Sequence, residues 1–214
     1  MPDPAAVEAL RHSPVADLIR RHRLIAILRR VEPRERLLDL VAGLAADGVR
    51  LFEVTFDAPS AADDLGAVRA RLSALGIDGA AVGAGTVVSA ERLEAAAAGG
   101  ARFIVGPTLD VALIQLAIER GLPVMPGAYS PTEIAAAWQH GATFVKVFPA
   151  SSLGPGYIRE LRGPLPEIEL VATGGIDATS AGAFLAAGCV AVGVGGALVN
   201  ADAAGRRAIM AAVA

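Results

Sequence analysis

Residues 144–149 read FVKVFP, a short run of apolar, strand-favouring side chains around Lys146. Lys146 is the only lysine of the chain; the other cationic side chains among its 19 lysines and arginines are arginines. Arginine stays protonated, whereas a buried amine can lose its proton and become a nucleophile. A lysine in a buried strand is costly unless it is paired, deprotonated or at the strand's end. We therefore interpret Lys146 as a residue that takes part in a reaction; the alternative is an ordinary surface lysine.

Similar apolar runs recur along the chain and alternate with alanine-rich stretches of helical length. Candidate strands begin at Leu24, Leu51, Ala80, Arg102, Pro123, Thr143, Glu169 and Val190. Candidate helices span 34–46, 60–75, 91–98, 111–119, 132–139, 155–162, 178–187 and 202–213. Eight such units predict an α/β fold, a (β/α)8 or TIM barrel. A doubly wound open sheet is the competing topology, but the count of eight and the glycine-rich loops after several strands favour the barrel.

The N-terminal segment, residues 1–23, has helical spacing of apolar residues from Pro4 onward, with a break expected at Pro14. We expect an extra helix that packs outside the barrel. No linker or low-complexity run interrupts the rest, so residues 1–214 are predicted to form a single domain.

Composition narrows the function classes. The net charge of −3 argues against nucleic-acid and membrane-surface partners, which need clustered cations. One cysteine, Cys189, excludes an intramolecular disulfide, and the three histidines show no metal-ligand spacing. We expect no metal and no cofactor. No apolar run reaches membrane-spanning length and the start does not resemble a signal peptide, which predicts a cytoplasmic protein.

In a barrel of this kind, function lies at the carboxyl ends of the strands. Polar residues, glycines and one proline stand at these positions: Arg29, Glu53, Thr86, Pro107, Gly127, Lys146, Gly174, Gly175, Gly195 and Gly196. Such a ring around one rim predicts a binding site.

Three of these residues suggest imine chemistry. Lys146 could attack a ketone and form a Schiff base, which acts as an electron sink for carbon–carbon bond cleavage. Glu53, between apolar neighbours, could carry protons, or form an interior salt bridge with Arg29 or Lys146. Arg29 could lower the pKa of the amine and bind a carboxylate, or pair with Glu32 at the surface.

The remaining positions are less specific. Thr86 could bind substrate or cap a strand end. Two glycine pairs after the last two strands stand where barrels often hold phosphate on backbone N–H groups. Asp57 either faces the pocket mouth or begins the next turn.

Taken in order, LIAILR, FEVTF, VGAGTV, FIVGP, PVMPG with SPTEI, FVKVFPAS, ATGGI and VGVGGALV resemble the bacterial 2-keto-3-deoxy-6-phosphogluconate (KDPG) aldolases and their 6-phosphogalactonate relatives. The resemblance covers 24–199. It implies a homotrimeric, metal-independent class I aldolase of the Entner–Doudoroff pathway that cleaves a phosphorylated keto acid into pyruvate and glyceraldehyde 3-phosphate.

The resemblance also implies roles for the individual residues. Lys146 would be the Schiff-base lysine and Glu53 the proton-transfer group. Arg29, Thr86 and Pro107 would line the pyruvate end. Thr173, Gly174, Gly175, Gly195 and Gly196 would face the phosphate.

Three positions depart from the family pattern: Asp57 replaces an arginine of some members, Gly196 a frequent serine, and Gly106 a common serine. Thr173 resembles the gluconate-type enzymes, whereas SSLGPGYI after the lysine resembles the galactonate type. The alternatives to KDPG cleavage are therefore the 6-phosphogalactonate epimer, another 2-keto-3-deoxy acid, or a catalytically silent trimeric barrel.

Overall fold

A parallel β-barrel forms the centre of the molecule. The computed structural model describes residues 2–214. Its strands are β1 (Leu24–Leu28), β2 (Leu51–Thr55), β3 (Ala81–Gly85), β4 (Ile104–Val105), β5 (Val124–Met125), β6 (Gly127–Ala128), β7 (Val145–Val147), β8 (Leu170–Thr173) and β9 (Ala191–Val194). They pair in the order β5-β4-β3-β2-β1-β9-β8-β7-β6, all in parallel. The predicted barrel is confirmed.

The ninth strand arises because the run beginning at Pro123 is split at Pro126. Proline has no N–H and cannot donate to a neighbouring strand. Its carbonyl still accepts a hydrogen bond from the Lys146 N–H at 3.0 Å. Since β5 pairs with β4 and β6 with β7, the ring closes through this one segment.

Helices surround the barrel. They are α1 (Pro4–Arg11), α2 (Pro14–His22), α3 (Arg34–Ala46), α4 (Ala61–Ala74), α5 (Ala90–Ala98), α6 (Val111–Glu119), α7 (Pro131–Gln139), α8 (Gly154–Leu161), α9 (Ala181–Ala186), α10 (Gly196–Val199) and α11 (Ala203–Val213). Local capping explains several boundaries; Ser130 and Glu133, for example, form a reciprocal capping box at the start of α7. Across residues 2–214, every helix is too short or too polar to cross a membrane.

The N-terminal segment differs from the expectation of a helix outside the barrel. Pro14 divides it into α1 and α2, and only α1 packs on the outer helices, against α6. In α2, Val15, Ala16 and Ile19 are buried in the cluster that fills the barrel interior. Arg20 fixes the helix by two hydrogen bonds to the Glu169 carboxylate at 2.8 and 2.6 Å. Helix α2 therefore closes the amino-terminal end of the barrel.

Strand alternation separates two apolar cores. In β7, Val145 and Val147 belong to the core between strands and outer helices, whereas Phe144 belongs to the interior cluster. Side chains two residues apart point to the same side of a strand. Lys146 therefore points into the barrel, above a floor that contains Phe144 and Phe103.

Candidate active site

The Lys146 amine lies inside the barrel at a largely apolar place. The residue is 4% exposed, and Nζ lies 4.9 Å from the centre of the Phe148 ring. Burial lowers the pKa of Lys146 below that of a free lysine; the charge of Arg29 acts in the same direction and that of Glu53 opposes it. The position therefore favours the neutral, nucleophilic amine.

Glu53 reaches the same space from β2 and is 3% exposed. Its carboxylate extends over Gly85 of β3 so closely that a Cβ on that residue would overlap it. Burial raises the pKa of Glu53, against the charges of Lys146 and Arg29. The carboxyl group is therefore biased towards its protonated form and can act as an acid and then as a base.

Within residues 2–214, Glu53 forms no salt bridge with Lys146 or Arg29. Arg29 pairs with Asp57 instead. The interior salt bridge considered for Glu53 does not form. Two ionisable groups thus face one cavity without neutralising each other, an arrangement typical of catalytic sites.

Arg29 follows β1 and is held at the rim by two side chains. One terminal nitrogen donates to Asp57 Oδ2 at 3.1 Å, and the other donates to Thr86 Oγ1 at 3.1 Å. Arg29 does not pair with Glu32; it pairs with Asp57, which follows β2 and does not itself line the cavity of Lys146 and Glu53. The hydroxyl of Thr86 therefore acts as an acceptor for Arg29, which leaves its own proton to donate elsewhere.

Thr86 has a backbone conformation that is unusual for a β-branched residue. Its φ is +55°, in the left-handed region, which costs about 1–3 kcal/mol for such residues. Its carbonyl accepts a hydrogen bond from Arg92 at 3.1 Å. The strained backbone is thus held from helix α5 and places the hydroxyl against Arg29.

A cavity of about 600 Å³ joins these groups to the loops after β8 and β9. Gly174 and Gly175, at φ +94° and +70°, follow β8 and pack against Phe148 and Ser151. Within residues 2–214, the N–H groups of Gly175, Gly196 and Ala197 find no acceptor. This end of the cavity therefore presents free backbone donors to an anion.

The structure brings most of the predicted residues together. The cavity is lined by Arg29, Glu53, Lys146, Thr173, Gly174, Gly175, Gly195 and Gly196. Thr86 contacts this set through Arg29. Pro107 does not line the cavity; its carbonyl abuts Gly127, which pairs with Lys146 across β6 and β7.

Several lining residues were missed: Ile27, Phe148, Gly193, Ile176, Asp177 and Ala197. The first three are each two residues away from a predicted residue, so strand alternation could have identified them. Asp177 carries a carboxylate whose Oδ1 accepts bonds from Thr179 and Ser180, which lowers its pKa. Gly85 was also missed: it matters because the absence of a Cβ leaves space for the Glu53 carboxylate, which a sequence pattern does not show.

Comparisons with known proteins agree with this geometry. The family model "KDPG and KHG aldolase" matches residues 15–212. The 2-dehydro-3-deoxy-6-phosphogalactonate aldolase of Escherichia coli K12 is 36% identical over 179 residues, covering 83% of this chain and 85% of that protein. The 2-dehydro-3-deoxy-phosphogluconate aldolase of Treponema pallidum is 32% identical over 173 residues, 80% of either chain.

A solved structure of KDPG aldolase from Legionella pneumophila, with pyruvate captured as a covalent carbinolamine intermediate, is similar with a TM-score of 0.77. Its sequence is 25% identical, over 95% of this chain and 97% of that one. The fold, the strand-end residues and these matches lead to one conclusion: the chain belongs to the KDPG and KHG aldolase family.

Proposed function

We propose that this protein is a class I aldolase that cleaves 2-keto-3-deoxy-6-phosphogluconate into pyruvate and glyceraldehyde 3-phosphate through a Schiff base on Lys146. One observation carries the proposal. A buried amine with a lowered pKa and a buried carboxyl group with a raised pKa face the same cavity without an ion pair between them.

The reaction begins when the neutral Lys146 amine attacks the C2 ketone. Glu53, biased towards its acid form, protonates the hydroxyl that leaves as water, and a protonated imine results. A base then removes the proton of the C4 hydroxyl, the C3–C4 bond breaks, and its electrons flow into the imine to give an enamine. Glu53 is the group placed for this transfer, directly or through water.

The second half of the reaction returns the enzyme to its starting state. The enamine carbon C3 takes up a proton, which Glu53 supplies, and becomes the methyl group of pyruvate. Water then hydrolyses the protonated imine, the Glu53 carboxylate takes up the proton that this releases, and Lys146 is freed as the neutral amine. Arg29, with the Thr86 hydroxyl beside it, is suited to hold the substrate carboxylate because the guanidinium can donate several hydrogen bonds at once.

The phosphate is proposed to rest on the backbone N–H groups of Gly175, Gly196 and Ala197. Gly196 provides no hydroxyl there, and the only charged side chain that the loops after β8 and β9 contribute to the cavity lining is the acidic Asp177. Phosphate would therefore be held by dipoles alone. Pro107 is proposed to support the pyruvate end indirectly, through its contact with Gly127.

The decisive experiment uses the fact that Lys146 is the only lysine. Borohydride reduction with pyruvate should produce a stable adduct, and mass spectrometry should place it on Lys146, the amino terminus being the other amine of the chain. Lys146→Arg should keep the fold and lose both adduct and turnover, because a guanidinium cannot form the imine. An unmodified Lys146 in an enzyme that still turns over would eliminate the mechanism.

A second candidate substrate is the 6-phosphogalactonate epimer, which the 36% identity to the E. coli enzyme of that name favours. Another 2-keto-3-deoxy acid, without phosphate, is favoured by the loops after β8 and β9, which contribute the acidic Asp177 and no cationic side chain to the cavity lining. Turnover measured on both epimers and on their unphosphorylated forms separates these possibilities. A catalytically silent barrel would exchange no pyruvate protons with solvent.

We also propose that the protein is a cytoplasmic homotrimer that acts in the Entner–Doudoroff pathway. The family resemblance supports these points. Analytical ultracentrifugation of the purified chain should give a mass of about three times 21.7 kDa.

A further inference from the structure

Asp57 contacts Arg29, the arginine proposed to bind the substrate carboxylate. An acidic residue at this place is unexpected, because the substrate is itself an anion. Its side chain is 14% exposed. Oδ2 accepts hydrogen bonds or ion-pair contacts from Arg29 at 3.1 Å and from the Arg30 Nε at 3.3 Å. Arg30 also donates to the Asp57 carbonyl at 3.1 Å. Asp57 therefore binds two consecutive arginines at the end of β1.

Arg29 needs such a contact, because its side chain is 54% exposed. A long exposed side chain samples many rotamers unless contacts hold it, and fixing it costs up to about 2 kcal/mol of entropy. Asp57 holds one terminal nitrogen from the loop after β2, and Thr86 holds the other from the loop after β3. Two anchors on different loops define both the position and the rotation of the guanidinium plane.

The guanidinium still has free donors after these contacts. It carries five N–H groups, and the protein occupies one on each terminal nitrogen. Arg29 lines the cavity together with Glu53 and Lys146. The unoccupied donors are therefore available to a carboxylate that enters beside the reactive amine.

Two effects of Asp57 on substrate binding have opposite signs. By simple Coulomb repulsion, a carboxylate at the rim weakens the binding of an anionic keto acid. By holding Arg29, the same carboxylate prepares the cation that binds the keto acid, and preorganised groups bind more tightly than mobile ones. The contacts to two arginines leave the Asp57 charge compensated, so the second effect should be larger.

We propose that Asp57 is a positioning residue that orients Arg29 to receive the carboxylate of the 2-keto acid. This inference rests on the proposed function, since it assumes that a keto acid binds at Lys146. It assigns to an acidic residue the task of orienting a neighbouring arginine.

The test measures exchange of pyruvate methyl protons with deuterated solvent in the full-length protein, followed by NMR over a range of pyruvate concentrations. Asp57→Asn keeps the shape of the side chain and removes its charge. We expect KM for pyruvate to rise about fivefold, the equivalent of losing a partly exposed ion pair, with kcat changed by less than about twofold. If that variant does not fold, Asp57→Ser serves for the same measurement.

Asp64→Asn is the matched control. Asp64 is 18% exposed and pairs with Arg34, which is 44% exposed, at 2.7 Å. The variant thus removes the same charge and a similar ion pair away from the cavity wall. It should leave KM unchanged.

A second comparison separates positioning from charge. In an Arg29→Met background, Asp57→Asn should raise KM by less than about twofold, because there is no guanidinium left to orient. If Asp57→Asn lowers KM or leaves it unchanged while the wild type exchanges pyruvate normally, the positioning role is wrong and the aldolase proposal stands. If the wild type exchanges no pyruvate protons and traps no adduct, both proposals fail.

Discussion

Gly85 offers a direct test of whether the Glu53 carboxylate works from the place where the structure puts it. A methyl group at residue 85 would stand 2.5 Å from Cδ and 2.7 Å from Cγ of Glu53. Ordinary carbon–carbon contacts lie at about 3.5–4.0 Å. Gly85→Ala must therefore displace the carboxylate by about 1 Å or more.

The cost should appear in proton transfer. A displacement of about 1 Å can cost about 10²-fold in rate, and losing a general acid–base altogether costs about 10²–10⁴-fold. We expect pyruvate proton exchange to fall about 10²-fold in Gly85→Ala. Borohydride trapping at saturating pyruvate should still modify Lys146, because the nucleophile itself is not moved. The extra methyl should destabilise the fold by about 1–3 kcal/mol.

Gly66→Ala is the control, since no atom beyond the adjoining backbone of its own helix α4 lies within 4 Å of the place where its Cβ would stand. It should keep full activity and gain about 0.4–1 kcal/mol of stability. Thermal melts report on the fold of both variants. A folded Gly85→Ala variant that exchanges protons at the wild-type rate would refute the reasoning. So would a double variant, Gly85→Ala with Glu53→Gln, whose exchange rate is much lower than that of Gly85→Ala alone.

Two other predictions concern charge and packing. Burial and the charge of Arg29 lower the pKa of Lys146, so trapping with cyanoborohydride should accelerate as pH rises, with a midpoint below the 10.5 of a free lysine. Arg29→Gln should move this midpoint upward and Glu53→Gln should move it downward. Movements in the opposite directions would contradict the charge assignment. Ile19→Ala in α2, at a fully buried position, should cost about 2–5 kcal/mol and lower Tm by roughly 5–15 °C. Leu75→Ala, at an exposed position, should change Tm little; equal melting of the two variants would mean that α2 is not part of the core.

The alternation of strands and helices could be predicted from the sequence, because strands buried on both faces appear as continuous apolar runs and helices appear as longer amphipathic segments. Helix boundaries at Arg34–Ala46 and Val111–Glu119 agree with the structure to the residue. The division at Pro126 was not predicted, since both halves carry the same apolar pattern. The placement of α2 was wrong because its apolar residues fit an outer helix as well as a barrel plug.

Local sequence patterns are enough to predict the barrel, the lysine and the carboxyl group that face its interior, and the rim on which the site lies. These follow from local periodicity and from the high cost of burying a charge without a role. Three features emerge only in the folded chain: Asp57 and Thr86 hold Arg29, Glu53 lies over Gly85, and α2 closes the barrel floor. Each of these joins elements distant along the chain, and such contacts depend on how the strands are staggered and how closely the backbone approaches, which a linear pattern does not encode.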